Sequence, residues 1–187
     1  MVVTANLSAM QLSGQSIFLR ALDEVDVGED YLGWMRDPQI VQFLESRDQV
    51  QTIESLRGFV RTMNASHRDH LFGIFLKQSG EHIGNIKIGS VREPHRSADL
   101  GLIVGRRSSW GKGYGTEAIA LATRYAFEQL ELNKLWAGMY SENLGSYHAF
   151  IKAGYREVGR FKRHVLFKGR YIDSILVEKC RDETTPA

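Results

Sequence analysis

Between Arg106 and Glu117 the chain reads Arg-Arg-Ser-Ser-Trp-Gly-Lys-Gly-Tyr-Gly-Thr-Glu, with glycines at 111, 113 and 115. Glycines at alternate positions let a backbone bend tightly and approach a ligand with no Cβ in the way. A helix follows, and the first amides of a helix are unpaired and carry partial positive charge. A strand, a glycine turn and a helix start together form a site for an anion such as phosphate. Arg106, Arg107 and Lys112 add mobile positive charge around it. The same glycines would also serve tight packing of helix on sheet. Two other phosphate loops fit less well. A Walker loop ends in Gly-Lys-Ser/Thr, whereas Lys112 is followed by Gly113. A dinucleotide fingerprint needs G-x-G-x-x-G near the first strand and an acid about 20 residues on. Here the pattern is G-x-G-x-G, after four strands, with no convincing acid at the end of the next.

The elements that must position this turn can be read from periodicity. Gln15 to Leu22 reads as an opening strand, and Asp23 to Met35 as a helix with Asp23 as its cap and Asp37-Pro38 as its stop. Thr52 caps a second helix reaching Ala65, with Ile53, Leu56, Phe59, Val60 and Met63 on one stripe. From Leu71 the period becomes alternating. Leu71 to Lys77, His82 to Val91 and Ala98 to Val104 form an antiparallel meander. A long helix from about Gly113 to Leu130 follows the glycine turn, then a strand over Lys134 to Tyr140, so Ala98 to Tyr140 is a β-α-β unit. Asn143 caps a helix to Ala153 with Gly154 after it, and two strands, Tyr155 to Phe167 and Tyr171 to Glu178, close the chain. The first fourteen residues are polar and aperiodic and are expected to be frayed, as is the tail from 181 to 187. Residues 15 to 180 then make one domain.

Composition limits the function classes. With 187 residues, one large core fits better than two. The net charge of +2, with both signs interspersed, argues against a nucleic-acid binder. The single cysteine, Cys180, permits no internal disulfide and suits a cytosolic protein. His67 and His70 have no HExxH motif or Cys/His cluster beside them, so no metal site is expected. No segment nears the roughly 20 apolar residues that cross a bilayer, and Met1 to Gly14 lacks the build of a signal peptide. The expectation is a soluble, cytoplasmic protein with no membrane partner; a homodimer would be unsurprising.

The segment Trp110-Gly111-Lys112-Gly113-Tyr114-Gly115 resembles the acyl-CoA pyrophosphate loop, Q/R-x-x-G-x-G/A, of the GCN5-related N-acetyltransferases (GNAT). Trp110 stands where the pattern has Gln or Arg. That departure, with the following Thr-Glu-Ala, resembles the branch that acetylates ribosomal-protein N-termini. The resemblance spans about Ser16 to Glu178, including Asn143-x-x-Ser146 and Ala153-Gly154-Tyr155. It implies a mixed, mostly antiparallel sheet of about seven strands, flanking helices and a central cofactor cleft. It also implies acetyl-CoA as co-substrate, with no metal. Backbone groups of Leu102, Ile103 and Val104 would hold the pantetheine arm. Trp110, Gly111, Lys112, Gly113, Tyr114, Gly115 and Thr116 would bind the diphosphate, Asn143 the amide arm and Lys152 the 3′-phosphate. A plain cap for Asn143 and a solvated helix charge for Lys152 are the alternatives.

The chemistry such a site performs is direct acetyl transfer to a neutral amine. An alkyl ammonium has a pKa of about 10.4, so a base must take a proton first. Asp99, on the strand leading into the cleft, is the candidate base; a structural ion pair is its alternative. Many relatives carry a tyrosine acid seven residues after the Asn, but here that place is Phe150. Ser146 is the substitute, as donor to the sulfur directly or through water, unless it merely caps its helix; Tyr140 and Tyr147 stand in reserve. Trp34, Phe43, Glu45, Arg47 and Asp173 are the expected acceptor-site contributors, with ordinary surface pairing the alternative for Glu45 and Asp173. The stretch from Tyr31 to Arg47 also resembles acetyltransferases of nucleotide-linked amino sugars, so protein N-terminus and sugar amine both stay open. A non-catalytic acyl-CoA-binding module is the reading from another class.

Overall fold

The computed structural model describes residues 10–181. Alternation along the central strands decides the layers. Phe72 and Ile74 point to one face of the sheet and Leu71 and Phe75 to the other, and each set meets its own helices. The strands are β1 (Gln11–Ser13), β2 (Ile17–Ala21), β3 (His70–Leu76), β4 (His82–Arg92), β5 (Ser97–Val104), β6 (Lys134–Tyr140), β7 (Arg156–Phe167) and β8 (Arg170–Cys180). They form one sheet in the order β1-β2-β3-β4-β5-β6-β8-β7. Every neighbouring pair is antiparallel except β5–β6. The helices are α1 (Glu29–Arg36), α2 (Pro38–Val41), α3 (Ile53–Ala65), α4 (Tyr114–Glu128) and α5 (Leu144–Lys152).

On one face α4 buries Ala118, Ile119, Ala122 and Ala126 against Phe72, Ile74, Ile86, Ile88, Ala98 and Leu100. The small alanines bring the helix axis close to the strands. On the other face α1 and α3 pack Tyr31, Leu32, Trp34, Leu56 and Val60 over Leu71 and Phe75. A third small cluster joins Tyr140, Phe167 and Ile172, with Phe43 against it. It lies where β6 ends and the β7–β8 turn begins.

Three local differences from the sequence expectation have physical causes. The sheet has eight strands among the described residues, because Gln11–Ser13 pairs with β2 and Leu12 and Met10 pack on the core. That segment, expected to be frayed, is ordered by its partner; residues 1–9 and 182–187 lie outside the described residues. Asp23 does act as a cap, but on a single 3-10 turn (Glu24–Asp26) that it closes with Asp26 as a capping box. The chain then restarts at Gly28, so the expected helix from Asp23 is shortened to α1. Finally, Asp37 both ends α1 and caps α2, with Pro38 as its first residue.

The feature that matters for function is where β5 leaves β6. Their parallel register runs only through Ser97↔Lys134, Ala98↔Leu135 and Asp99↔Trp136. Beyond it β5 keeps β4 as neighbour up to Gly84↔Val104, and β6 keeps β8 up to Tyr140↔Ser174. The two arms therefore separate into a V at the carboxyl ends of parallel strands, the place where open α/β sheets bind ligands.

Candidate active site

The glycine turn closes one arm of the V. Gly111 and Gly113 have φ of +74° and +84°, and Gly113 is the N-cap of α4 with no side-chain hydrogen bond to the helix amides. A Cβ at either position would meet nothing within 4 Å, so glycine is required there by dihedral and not by crowding. Gly115 differs: a Cβ there would make ordinary contacts with Leu102 at 3.5 Å and Val104 at 3.7 Å, so the first turn of α4 lies against β5 without glycine being demanded by space or dihedral. The amides at the head of α4 are left to whatever anion arrives.

Trp110 bridges the two parts. Its indole Nε1–H donates to the carbonyl of Val104, the last residue of β5, at 2.7 Å, while 45% of the residue stays exposed. The residue that departs from the family pattern thus ties the turn to the strand. Glu117 anchors the helix from behind: its Oε1 accepts from the amides of Ser16 at 2.9 Å and Ile17 at 3.4 Å. That removes a negative charge from competition for the helix start.

The surrounding cations are not all mobile, as the sequence suggested. Arg106 pairs with Glu81 at 2.7 Å and Asp30 at 3.3 Å, and Arg107 with Asp37 at 3.2 Å and Gln39 at 2.6 Å. Both brace the turn against α1 and α2. Lys112 makes no hydrogen bond or ion pair among the described residues and stands exposed beside Gly111 and Gly113.

The other arm is β6 and the helix after it. Asn143 Oδ1 accepts from the Ser146 amide at 3.2 Å, capping α5, and its amide nitrogen makes no hydrogen bond among the described residues. Ser146 is half-buried on the first turn, and Lys152 is exposed in the last. Phe150 is 1% exposed, with its ring 5.0 Å from that of Tyr155 in the core, so this position faces packing and not a substrate. Tyr147 bonds Glu157, which pushes its phenol above the ordinary range. Asp99 lies at the vertex, half-buried, opposite Trp136 of β6 and Gly89 of β4.

Of the residues expected to meet the acceptor, three converge. Tyr140, the last residue of β6, donates to Glu45 Oε1 at 2.8 Å and accepts from the Arg47 guanidinium at 2.6 Å. Phe43 and Phe167 wall the cluster, their rings 5.3 Å apart and each edge-on to Tyr140. Burial, reinforced by the Glu45 carboxylate, raises the Tyr140 pKa. Trp34 and Asp173 lie elsewhere. Trp34 is buried against Gly105 and edge-on to the ring of His82, 5.0 Å away, below the exit of β5. Asp173 accepts from Lys162 at 2.8 Å and from the Arg163 amide at 2.9 Å, and so holds a bulge in β7 where Arg163 has φ of +50°. Tyr140, a reserve acid on sequence grounds, stands instead among the acceptor-side residues, at the end of β6 on the V.

Among the described residues no group of His, Cys, Asp and Glu could hold a metal ion, and no helix is long and apolar enough to cross a membrane. The acetyltransferase (GNAT) domain model matches residues 16–156. A probable N-acetyltransferase of Bacillus subtilis (strain 168), YjcK, is 30% identical over 169 residues, 87% of this chain and 92% of its own. Spermidine N-acetyltransferase from Vibrio cholerae, solved with CoA and spermine, superposes with a TM-score of 0.80 at 22% identity, covering 90% of this chain and 98% of that one. Mycobacterium smegmatis RimJ, solved with CoA-disulfide, gives 0.78 at 24% identity, covering 91% and 85%. These likenesses carry the fold, while the family model and the Bacillus relative carry the family. The chain belongs to the acetyltransferase (GNAT) family and is an acyltransferase of the acetyl-CoA-dependent kind.

Proposed function

We propose that the protein is an N-acetyltransferase that moves the acetyl group of acetyl-CoA to a primary amine by direct attack. The observation that carries this reading is the V between β5 and β6, closed by a glycine turn whose helix start has no cap of its own. Amides from Gly111 to Thr116, with Lys112, hold the diphosphate. Backbone groups of Leu102, Ile103 and Val104 receive the pantetheine arm along the β5 side of the V; the Val104 carbonyl already accepts from Trp110, which leaves its amide for the cofactor. Asn143 reaches the amide arm with its side-chain nitrogen, and Lys152 meets the 3′-phosphate.

In the transfer itself the amine nitrogen bonds to the acetyl carbon and the carbon–sulfur bond breaks. Asp99 takes one proton from the ammonium before attack and passes it to solvent. The second proton, shed by the nitrogen after attack, reaches the departing thiolate through Ser146 or a water it orients, so Ser146 ends neutral. The acceptor is a protein N-terminus of the ribosomal type or a small-molecule amine; the similar structures include proteins named for both kinds, a spermidine N-acetyltransferase and RimJ. A non-catalytic coenzyme A-binding module is favoured by one observation, the burial of Phe150 where a tyrosine acid would stand.

Thiol release from acetyl-CoA across peptides, amino sugars and polyamines separates these readings. Amine-dependent release supports the enzyme; saturable coenzyme A binding with no release on any amine establishes the module instead.

A further inference from the structure

The segment from Gln42 to Asp48 is a run of turns, with Arg47 N–H donating to the Leu44 carbonyl, and it is pinned against the end of the sheet. Lys168 Nζ donates to Gln42 Oε1 at 3.2 Å, Phe43 stacks on Phe167, and Arg47 reaches Tyr140, the Leu44 carbonyl at 3.2 Å and the Leu166 carbonyl at 3.5 Å. The product of this pinning is an exposed carboxylate, that of Glu45, tied to the sheet end through Tyr140. Glu45 receives the Tyr140 hydroxyl on one oxygen, and Oε2 makes no hydrogen bond among the described residues. Burial keeps the Tyr140 phenol protonated at neutral pH, so it remains a donor.

The charges around Glu45 distinguish it. The carboxylates next to Arg47 and at the end of the β7–β8 hairpin are matched to cations: Asp48 to Arg47, Glu142 to Arg170 and Asp173 to Lys162. Glu45 alone in this group is held by a neutral hydroxyl and makes no ion pair among the described residues. From Arg156 to Cys180 the hairpin beside it carries seven Lys and Arg against three Asp and Glu, an excess of four positive charges in a chain whose total is +2. A second and third ammonium would find those three carboxylates already engaged and would meet that positive field.

We infer that Glu45 receives the acceptor's ammonium, that Tyr140 and Arg47 are positioning residues for it, and that the acceptor carries one ammonium on a neutral or anionic body, not a polyamine chain. This rests on the acetyltransferase reading above. One carboxylate oxygen is committed to the phenol and the other is open to the amine. The excess positive charge of the hairpin suits a carboxylate or phosphate elsewhere on the acceptor.

The test measures acetyl transfer at saturating acetyl-CoA to spermidine, to a peptide with a free N-terminus and acidic residues behind it, and to an amino sugar phosphate. The expected result is a kcat/KM at least about tenfold higher for one of the single-ammonium acceptors than for spermidine, the scale of an ammonium left without its partner. Spermidine as the best acceptor overturns the inference while leaving the acetyltransferase reading intact. With the better acceptor, Glu45→Gln should raise KM about tenfold to a hundredfold, the range of hydrogen bonds to a charged group, with kcat and coenzyme A affinity near wild type. Tyr140→Phe should raise KM by a smaller factor. Unchanged KM in both Glu45→Gln and Tyr140→Phe overturns the assignment. If wild type binds no coenzyme A, the parent reading fails first and this inference falls with it.

Discussion

Replacing Gly113 by alanine isolates the dihedral requirement of the glycine turn. An added Cβ meets no atom within 4 Å, so crowding contributes nothing, and the whole cost comes from holding an L-residue at φ +84°. That cost is about 1–2 kcal/mol. It must appear in one of two places. If the turn keeps its shape, the folded state loses that energy and the melting temperature falls by roughly 2–8 °C, at about 2–4 °C per kcal/mol for a domain of this size. If the turn relaxes, its amides leave the anion-binding arrangement and coenzyme A affinity falls by about fivefold to thirtyfold. Gly58→Ala is the control: it lies within α3 at ordinary φ with open space around it, and should gain about 0.5–1 kcal/mol with affinity unchanged. Calorimetric titration with coenzyme A and thermal melting on the three proteins read both quantities. Gly113→Ala with wild-type melting and wild-type affinity would refute the argument from backbone geometry.

Trp110→Phe keeps a ring at the turn but removes the N–H that reaches Val104, and should weaken coenzyme A binding by roughly twofold to tenfold, the worth of one such bond; titration checks it. Phe150→Tyr places a hydroxyl in a packed core and should cost about 1–3 kcal/mol with no gain in kcat, read by melting and steady-state rates. His82 and His70 are held below the ordinary imidazole value of 6.5, in both cases chiefly by burial. The unfolded chain therefore takes up these protons first as pH falls, so the stability they allow is complete above 6.5 and declines below it. The melting temperature should drop between about pH 7 and pH 5, before most carboxylates titrate, and His82→Gln should flatten part of that slope. A flat profile in wild type would count against the burial argument.

Much of the scaffold could be read from local pattern. The Thr52 cap and its stripe give α3 to the residue, and the alternating runs give β3 to β6 within one or two positions, because each is a long periodic segment on one well-packed face. What escaped was short or depended on distant partners. β1 has three residues and is a strand only because β2 lies beside it. Asp23 carries a good cap signal, but Gly28 breaks the helix that it would have started. In the site, the glycine turn was legible because its chemistry is local. The bonds from Tyr140 to Glu45 and Arg47 join residues more than ninety positions apart, with no periodicity to announce them. Likewise the ion pairs of Arg106 and Arg107 depend on α1 and α2 folding across the turn, so the local sequence showed two cations and not their commitments.

The central claim is that the uncapped start of α4 and the β5 side of the V bind the diphosphate and pantetheine of coenzyme A. Isothermal titration of the purified chain with coenzyme A tests it most directly. The account predicts saturable binding at one site per chain, weakened in Gly113→Ala by affinity or accompanied there by lost stability. Absence of any saturable heat with either coenzyme A or acetyl-CoA, from a protein that melts cooperatively, would contradict it.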